Sequence, residues 1–143
     1  MQLKQSLRIP YCNMEGYDLI LPGSKIPKWF NHQSVGNSIS LWVGRNYQIF
    51  LCCIVFEPNG QLWEDSLEVY FKFNGTKLTH WTLSSIKQGL DMTCNHVWIF
   101  QKYVSSLTEC LYLFDQNHVE VKFRCKSHIL RCGIHTECIC PIH

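Results

Sequence analysis

Five residues near the end of the chain carry the side chains that metals bind: Cys132, His135, Cys138, Cys140 and His143. Thiolates and imidazoles at close spacing are the ligands of tetrahedral zinc. Two features of the spacing weigh against that chemistry. Structural zinc sites usually draw their ligands from two separated knuckles, and these five crowd one segment. Strand-like alternation also puts Cys132 and Ile134 on one face and His135 on the other. The expectation is core cysteines followed by an irregular tail, with no metal and no cofactor.

A cysteine nucleophile with a histidine base is the second chemistry the composition offers, with nine cysteines and seven histidines in 143 residues. No nucleophile motif surrounds any of them. A Gly-rich phosphate loop, a Gly-x-Ser-x-Gly turn and a recognisable carboxylate pair are also missing from the sequence. The chain reads as non-catalytic. Asn74-Gly75-Thr76 fits the glycosylation sequon. Asn-Gly is also the strongest short hairpin signal, because both residues tolerate positive φ, and the hairpin reading is preferred.

Binding chemistry is expected in two polar stretches that hold large side chains. The first runs from Glu57 to Ser66 and offers Pro58, Asn59, Gln61, Trp63 and Glu64. The second runs from Ser84 to Asn95 and offers Lys87, Gln88 and Met92. Both are predicted to be loops, where recognition residues concentrate, and Trp is enriched among binding hot spots. A purely structural reading, with Trp63 capping one end of the fold, stands beside this one.

The elements that would hold these loops are short strands. Ile39, Leu41 and Val43 alternate with Ser38, Ser40 and Trp42, the period-2 pattern of a half-buried strand. Residues 49–56 are apolar on both faces, which suits a central strand. Val69, Phe71 and Phe73 alternate with Tyr70 and Lys72, then stop at Asn74-Gly75. Val97 and Ile99 mark another strand, flanked by His96 and Trp98. Val119, Val121 and Phe123 alternate with Glu120, Lys122 and Arg124, and Leu130, Cys132 and Ile134 make the last strand. A short helix is predicted over 105–114. The pattern predicts an all-β fold, an antiparallel β-sandwich with at most one or two short helices.

Length suits one domain with a real core. Residues 1–16 fit no clear element, 17–136 form the predicted sandwich, and 137–143 are predicted to be irregular. The net charge is +2, with Lys and Arg scattered singly, so nucleic acid is not an expected partner. The longest apolar run falls far short of the roughly 20 residues that span a bilayer, so no membrane segment is expected. An odd cysteine count, with most cysteines inside apolar runs, points to a reducing compartment, cytoplasm or nucleus.

One segment goes further. Leu21-Pro22-Gly23-Ser24, Ile26-Pro27 and Trp29-Phe30-Asn31-His32-Gln33 place prolines around a Gly-Ser turn, then an aromatic pair. Proline cannot donate to a ladder, so this is a rigid entry to a sheet, with Ile26, Trp29 and Phe30 as anchors packed over it. Together with Gly36-Asn37-Ser38-Ile39-Ser40, 52–56, 96–100, 117–123 and Arg131-Cys132-Gly133-Ile134-His135, in this order, the run resembles the C-JID domain. That is the jelly-roll/Ig-like domain that follows the leucine-rich repeats of plant TIR-type NLR immune receptors. The resemblance covers about Tyr17 to His135. Lys25 and Lys28 stand where the family often has acidic residues.

The resemblance implies a non-catalytic protein-recognition module of plant innate immunity. Its implied partners are the leucine-rich-repeat region of a receptor, a pathogen effector, or both. A lectin-like carbohydrate-binding sandwich is the alternative, and it would show an aromatic platform beside convergent polar groups on one face.

Overall fold

The computed structural model describes residues 18–44, 48–58, 63–75, 77–87, 93–103 and 115–138. Nine strands run in chain order: β1 (Asp18–Pro22), β2 (His32–Val35), β3 (Ser38–Gly44), β4 (Gln48–Glu57), β5 (Trp63–Phe73), β6 (Lys77–Lys87), β7 (His96–Tyr103), β8 (Gln116–Arg124) and β9 (His128–Cys138). No helix occurs among the described residues, and the helix expected over 105–114 lies outside them.

The strands form two antiparallel sheets, one ordered β1-β7-β4-β9-β2 and the other β3-β8-β5-β6. The apolar run of 49–56 becomes β4, the middle strand of the larger sheet, with every side chain from Phe50 to Phe56 buried. The Pro-bearing segment becomes β1, an edge strand, where a missing N–H leaves no gap in a ladder. Gly36 and Asn37 carry the chain from β2 in one sheet to β3 in the other. The Gly36 amide donates to the Leu130 carbonyl at 2.9 Å, and the Asn37 side-chain amide donates to the Phe123 carbonyl at 3.0 Å.

Between the sheets lies the main core, in which Ile39, Leu41 and Val43 meet Phe50, Phe71, Trp98, Phe100 and Phe123. Edge-to-face pairs such as Phe50–Phe71 and Phe100–Phe123, with ring centroids 5.4 and 6.2 Å apart, interlock the two layers. The Trp98 indole N–H donates to Asp18 Oδ2 at 2.9 Å and fastens β1 to the core. Asn74 and Gly75 both hold positive φ, 51° and 76°, as the hairpin reading requires. Asn74 also binds β8: its Nδ2 donates to Asn117 Oδ1 at 3.1 Å, and its Oδ1 accepts the His118 amide at 2.9 Å. The amide of the sequon asparagine is thus a clamp.

Two strand expectations need correction. Leu130 does not share a face with Cys132 and Ile134. The β4–β9 register shifts between Val55 and Phe56, so Phe56 pairs with Ile129 and Val55 with Arg131. The extra residue of that bulge turns Leu130 to the outer face and puts Ile129 in the core. The second correction concerns the expected loops. Trp63 and Glu64 open β5, and 84–87 close β6, with Trp63 opposite Lys87 and Glu64 opposite Ile86. Ladder bonds are made by backbone, so a hairpin started at Asn74-Gly75 continues through polar residues that look like loop in sequence. β9 likewise runs on to Cys138, opposite Gln48.

Candidate functional site

The two outer faces of the sandwich are built differently. On the larger sheet, residues 23–31 cross the outer face as a clasp. Ile26 and Phe30 are buried there against Leu51, Cys53, Val55, Val97 and Ile99, a second core outside the first. A tight turn shapes the clasp, with the Phe30 amide donating to the Pro27 carbonyl at 3.0 Å. Gln33 Nε2 lies 3.3 Å from both the Pro27 and Phe30 carbonyls and holds the turn to β2.

The far end of the chain receives this clasp. His135 faces outward from β9, its ring edge-on to Trp29 at 5.1 Å and to Phe30 at 5.9 Å. Its Nδ1 accepts the Asn31 amide at 3.3 Å. Beside it, a Cβ on Gly133 would meet Ile26 Cγ2 at 3.1 Å, the His32 carbonyl oxygen at 3.2 Å and Phe30 Cδ2 at 3.3 Å. Only glycine lets the clasp lie this close to β9. Cys132, one residue earlier, points into the main core. Cys132 and His135 therefore lie on opposite sides of β9, and no group of three metal-ligating side chains occurs among the described residues. Cys140 and His143 fall outside them.

Burial sets the chemistry of the inner cysteines. Desolvation pushes the Cys132 thiol up to about 12. Cys52 and Cys53 are driven up as well, first by burial and then by neighbouring thiols. Such thiols are inert. Burial also lowers the pKa of His32, on the edge strand β2.

The outer face of the smaller sheet has no cover among the described residues. Ser38, Ser40 and Trp42 project from β3, Glu120, Lys122 and Arg124 from β8, and Tyr70 and Lys72 from β5. Register places Lys122 between Ser38 and Tyr70, and Glu120 between Ser40 and Lys72. Together they line a shallow depression of about 600 Å³. Tyr70 stacks on His80 across the β5–β6 ladder, centroids 4.5 Å apart and planes within 18°, and its hydroxyl donates to Glu68 Oε1 at 3.2 Å. At one end Trp42 is 62% exposed and leans on His118, centroids 4.9 Å apart.

Of the residues expected in recognition loops, Pro58 follows β4 directly and is half-buried. Trp63, Glu64 and Lys87 meet at the open end of the β5–β6 hairpin through backbone pairing. Asn59, Gln61, Gln88 and Met92 lie outside the described residues. The open sheet face was not among the expected sites. Its signal was present as outward members of three alternating strands, but only the register makes them neighbours.

A two-sheet antiparallel sandwich with one outer face sealed by an N-terminal clasp defines a β-sandwich domain. The chain belongs to the C-JID domain family, whose model matches residues 21–139. It is 30% identical over 121 residues to "Disease resistance protein RPP5" of Arabidopsis thaliana, and equally so to "Protein SUPPRESSOR OF npr1-1, CONSTITUTIVE 1" of the same plant. Each alignment covers 80% of this chain and 8% of the relative, so the chain spans a small part of their length. Among solved structures, a family 35 carbohydrate binding module from an environmental isolate covers 85% of the chain and 88% of its own, at 10% identity and TM-score 0.35. A non-crystalline-cellulose-specific module, CBM28, covers 82% and 69%, at 10% identity and TM-score 0.40.

Proposed function

We propose that this chain is the post-repeat recognition domain of a plant disease-resistance receptor, a non-catalytic module that binds protein by surface complementarity inside the cell. The observation that carries this reading is the family match over 21–139, joined to two relatives that are disease-resistance proteins. The asymmetry of the sandwich supports it. One outer face is closed by the clasp, and the other is a broad, shallow field of charged, hydroxyl and aromatic side chains, the texture of a protein-binding surface. Buried thiols at Cys52, Cys53 and Cys132 suit a reducing compartment. The partners it would meet are the last leucine-rich repeats of a receptor and a pathogen effector held against them.

A glycan ligand is the second reading, favoured by Tyr70 and Trp42 on the same face as Ser38 and Ser40. Direct titration of the purified chain separates the two. The probes are a leucine-rich-repeat fragment of RPP5 that lacks its own C-terminal segment, a panel of candidate effectors, and a glycan array. Micromolar or tighter binding to a repeat fragment or effector is expected. Binding to glycans alone would overturn the protein-recognition reading.

A further inference from the structure

We infer that the outer face of the β3-β8-β5-β6 sheet is a docking surface for an acidic protein segment, read by Lys72, Lys122 and Arg124. The inference rests on the recognition reading above and names its surface and the charge of its partner. Three observations carry it.

Three cations stand on neighbouring positions of β5 and β8, and all three are exposed. Lys122 and Arg124 are two residues apart on one face of β8, and Lys72 projects from the adjacent strand, opposite Glu120. Among the described residues none of the three lies within ion-pair distance of a carboxylate. Glu68, the nearest candidate for Arg124 by register, already accepts the Tyr70 hydroxyl. Glu120 is the one carboxylate lining the depression, so the lining carries 3 − 1 = +2. Glu68 stands on the same face opposite Arg124, so the positive excess is confined to the lining of the depression and does not extend over the whole face. A field of this kind raises the encounter rate of an acidic partner and selects against a basic one.

The hydroxyls suit carboxylates as well. Ser38 lies across the ladder from Lys122 and Ser40 from Glu120, so serine donors sit beside the cations, while the Tyr70 hydroxyl is already given to Glu68. Trp42, 62% exposed at the end of the same face, supplies the apolar anchor that charge alone lacks.

The ring geometry favours polypeptide over sugar. A pyranose stacks on the open face of an aromatic ring. Tyr70 and His80 stack on each other within 18°, so one face of each ring is covered by the other across the ladder. The depression itself, which Trp42 does not line, offers cations and serine hydroxyls beside one half-covered ring.

The test titrates the full 143-residue chain with labelled poly-L-glutamate, poly-L-glutamine and polygalacturonate at two salt concentrations. The inference expects binding to poly-L-glutamate that weakens as salt rises, and none to poly-L-glutamine. A combined K72Q/K122Q/R124Q variant should lose about tenfold in affinity, the sum of three exposed charge pairs. A charge-keeping K72R/K122R variant should hold it, and unchanged circular dichroism and melting would show both variants folded. Poly-L-glutamate that fails to bind, or binds the neutralised variant equally, overturns the surface. Polygalacturonate bound in preference to the peptide overturns it in favour of an acidic glycan. If the neutralised variant still binds a repeat fragment or effector unchanged, this surface is wrong while the recognition reading stands. Loss of all protein binding by the unaltered chain defeats that reading itself.

Discussion

The two outer faces of this sandwich have opposite uses for the same alternation. In the larger sheet the outward residues Leu51, Cys53, Val55, Val97 and Ile99 are apolar and need a lid, which the chain supplies from residues 23–31. In the smaller sheet the outward residues are mostly Ser, Lys, Glu, Arg and Tyr, with Trp42 the one large apolar side chain left exposed among those described. A sheet with two apolar faces must be covered twice, and one with a single apolar face only once. The chain has spent its strongest motif on holding the lid. What faces outward on the other side is polar and solvated, and carries no such packing duty.

The largest effect that this contrast predicts is at the lid's anchor. Phe30→Ala should cost about 3–5 kcal/mol of unfolding free energy, because a 3% exposed ring leaves a cavity over β4 and β7. Urea titration would measure it. A loss under about 1 kcal/mol would mean the lid is an ornament on a sheet that needs no cover. Next comes a pair of glycines, one on each sheet. Gly133→Ala drives a methyl into atoms at 3.1 to 3.3 Å, one of them a backbone oxygen, and should cost about 1–3 kcal/mol. Gly44→Ala, in the open sheet, meets only the Asp115 carbonyl at 3.8 Å and should stay within about 0.5 kcal/mol. Equal costs at both positions would erase the distinction between the faces.

The lid was legible in the sequence and the open face was not. Prolines at 22 and 27, followed by Trp29-Phe30, announce a rigid segment with anchors, and the structure places Ile26 and Phe30 as expected. The partner of that segment was harder to read. His135 stands 104 residues from Asn31, with Gly133 two residues before it, and only the fold shows that the glycine is there to admit Ile26 and Phe30. Strand interiors were readable because period-2 alternation is local. Strand ends were not: Trp63–Ser66 is polar enough to pass for loop, yet backbone pairing with β6 carries it on as strand. The bulge at Leu130 escaped for a similar reason, since a one-residue insertion leaves no mark in composition. A binding face made from three strands is further still from local pattern, because its neighbours are chosen by register.

Thiol chemistry gives a finer probe of the lid. A thiol moved from its ordinary 9.0 up to about 12, as at Cys132, holds about a thousandth of the thiolate at pH 8. Cys53, in the cluster beneath Phe30, is also driven well above its ordinary value, by burial first and then by the Cys52 and Cys132 thiols. Both should resist a disulfide reagent in the folded chain at pH 8 and react on unfolding. In Phe30→Ala, Cys53 should become the faster of the two, because only its cover has been removed. The same shifts set an alkaline limit. The folded chain holds these protons more tightly than the unfolded chain does, so their contribution is complete below about pH 9 and is lost as pH climbs toward 12. A melting temperature that held steady from pH 8 to 11 would contradict this.

The smallest expected effect is on the open face, and its smallness is the point. Lys122→Gln removes a charge that lies in solvent and makes no ion pair among the described residues, so the stability change should fall within about 0.5 kcal/mol. Its backbone bonds to β3 and β5 remain, and the inward neighbours Val121 and Phe123 keep their packing. A face that carried structural weight would behave like Gly133, and a loss above about 1.5 kcal/mol would put Lys122 in that class. A face kept for recognition should tolerate the substitution in the melt and show it only when an acidic partner is present. The same side chain measured twice, once by denaturant and once by titration, therefore separates what holds the sandwich together from what the sandwich presents.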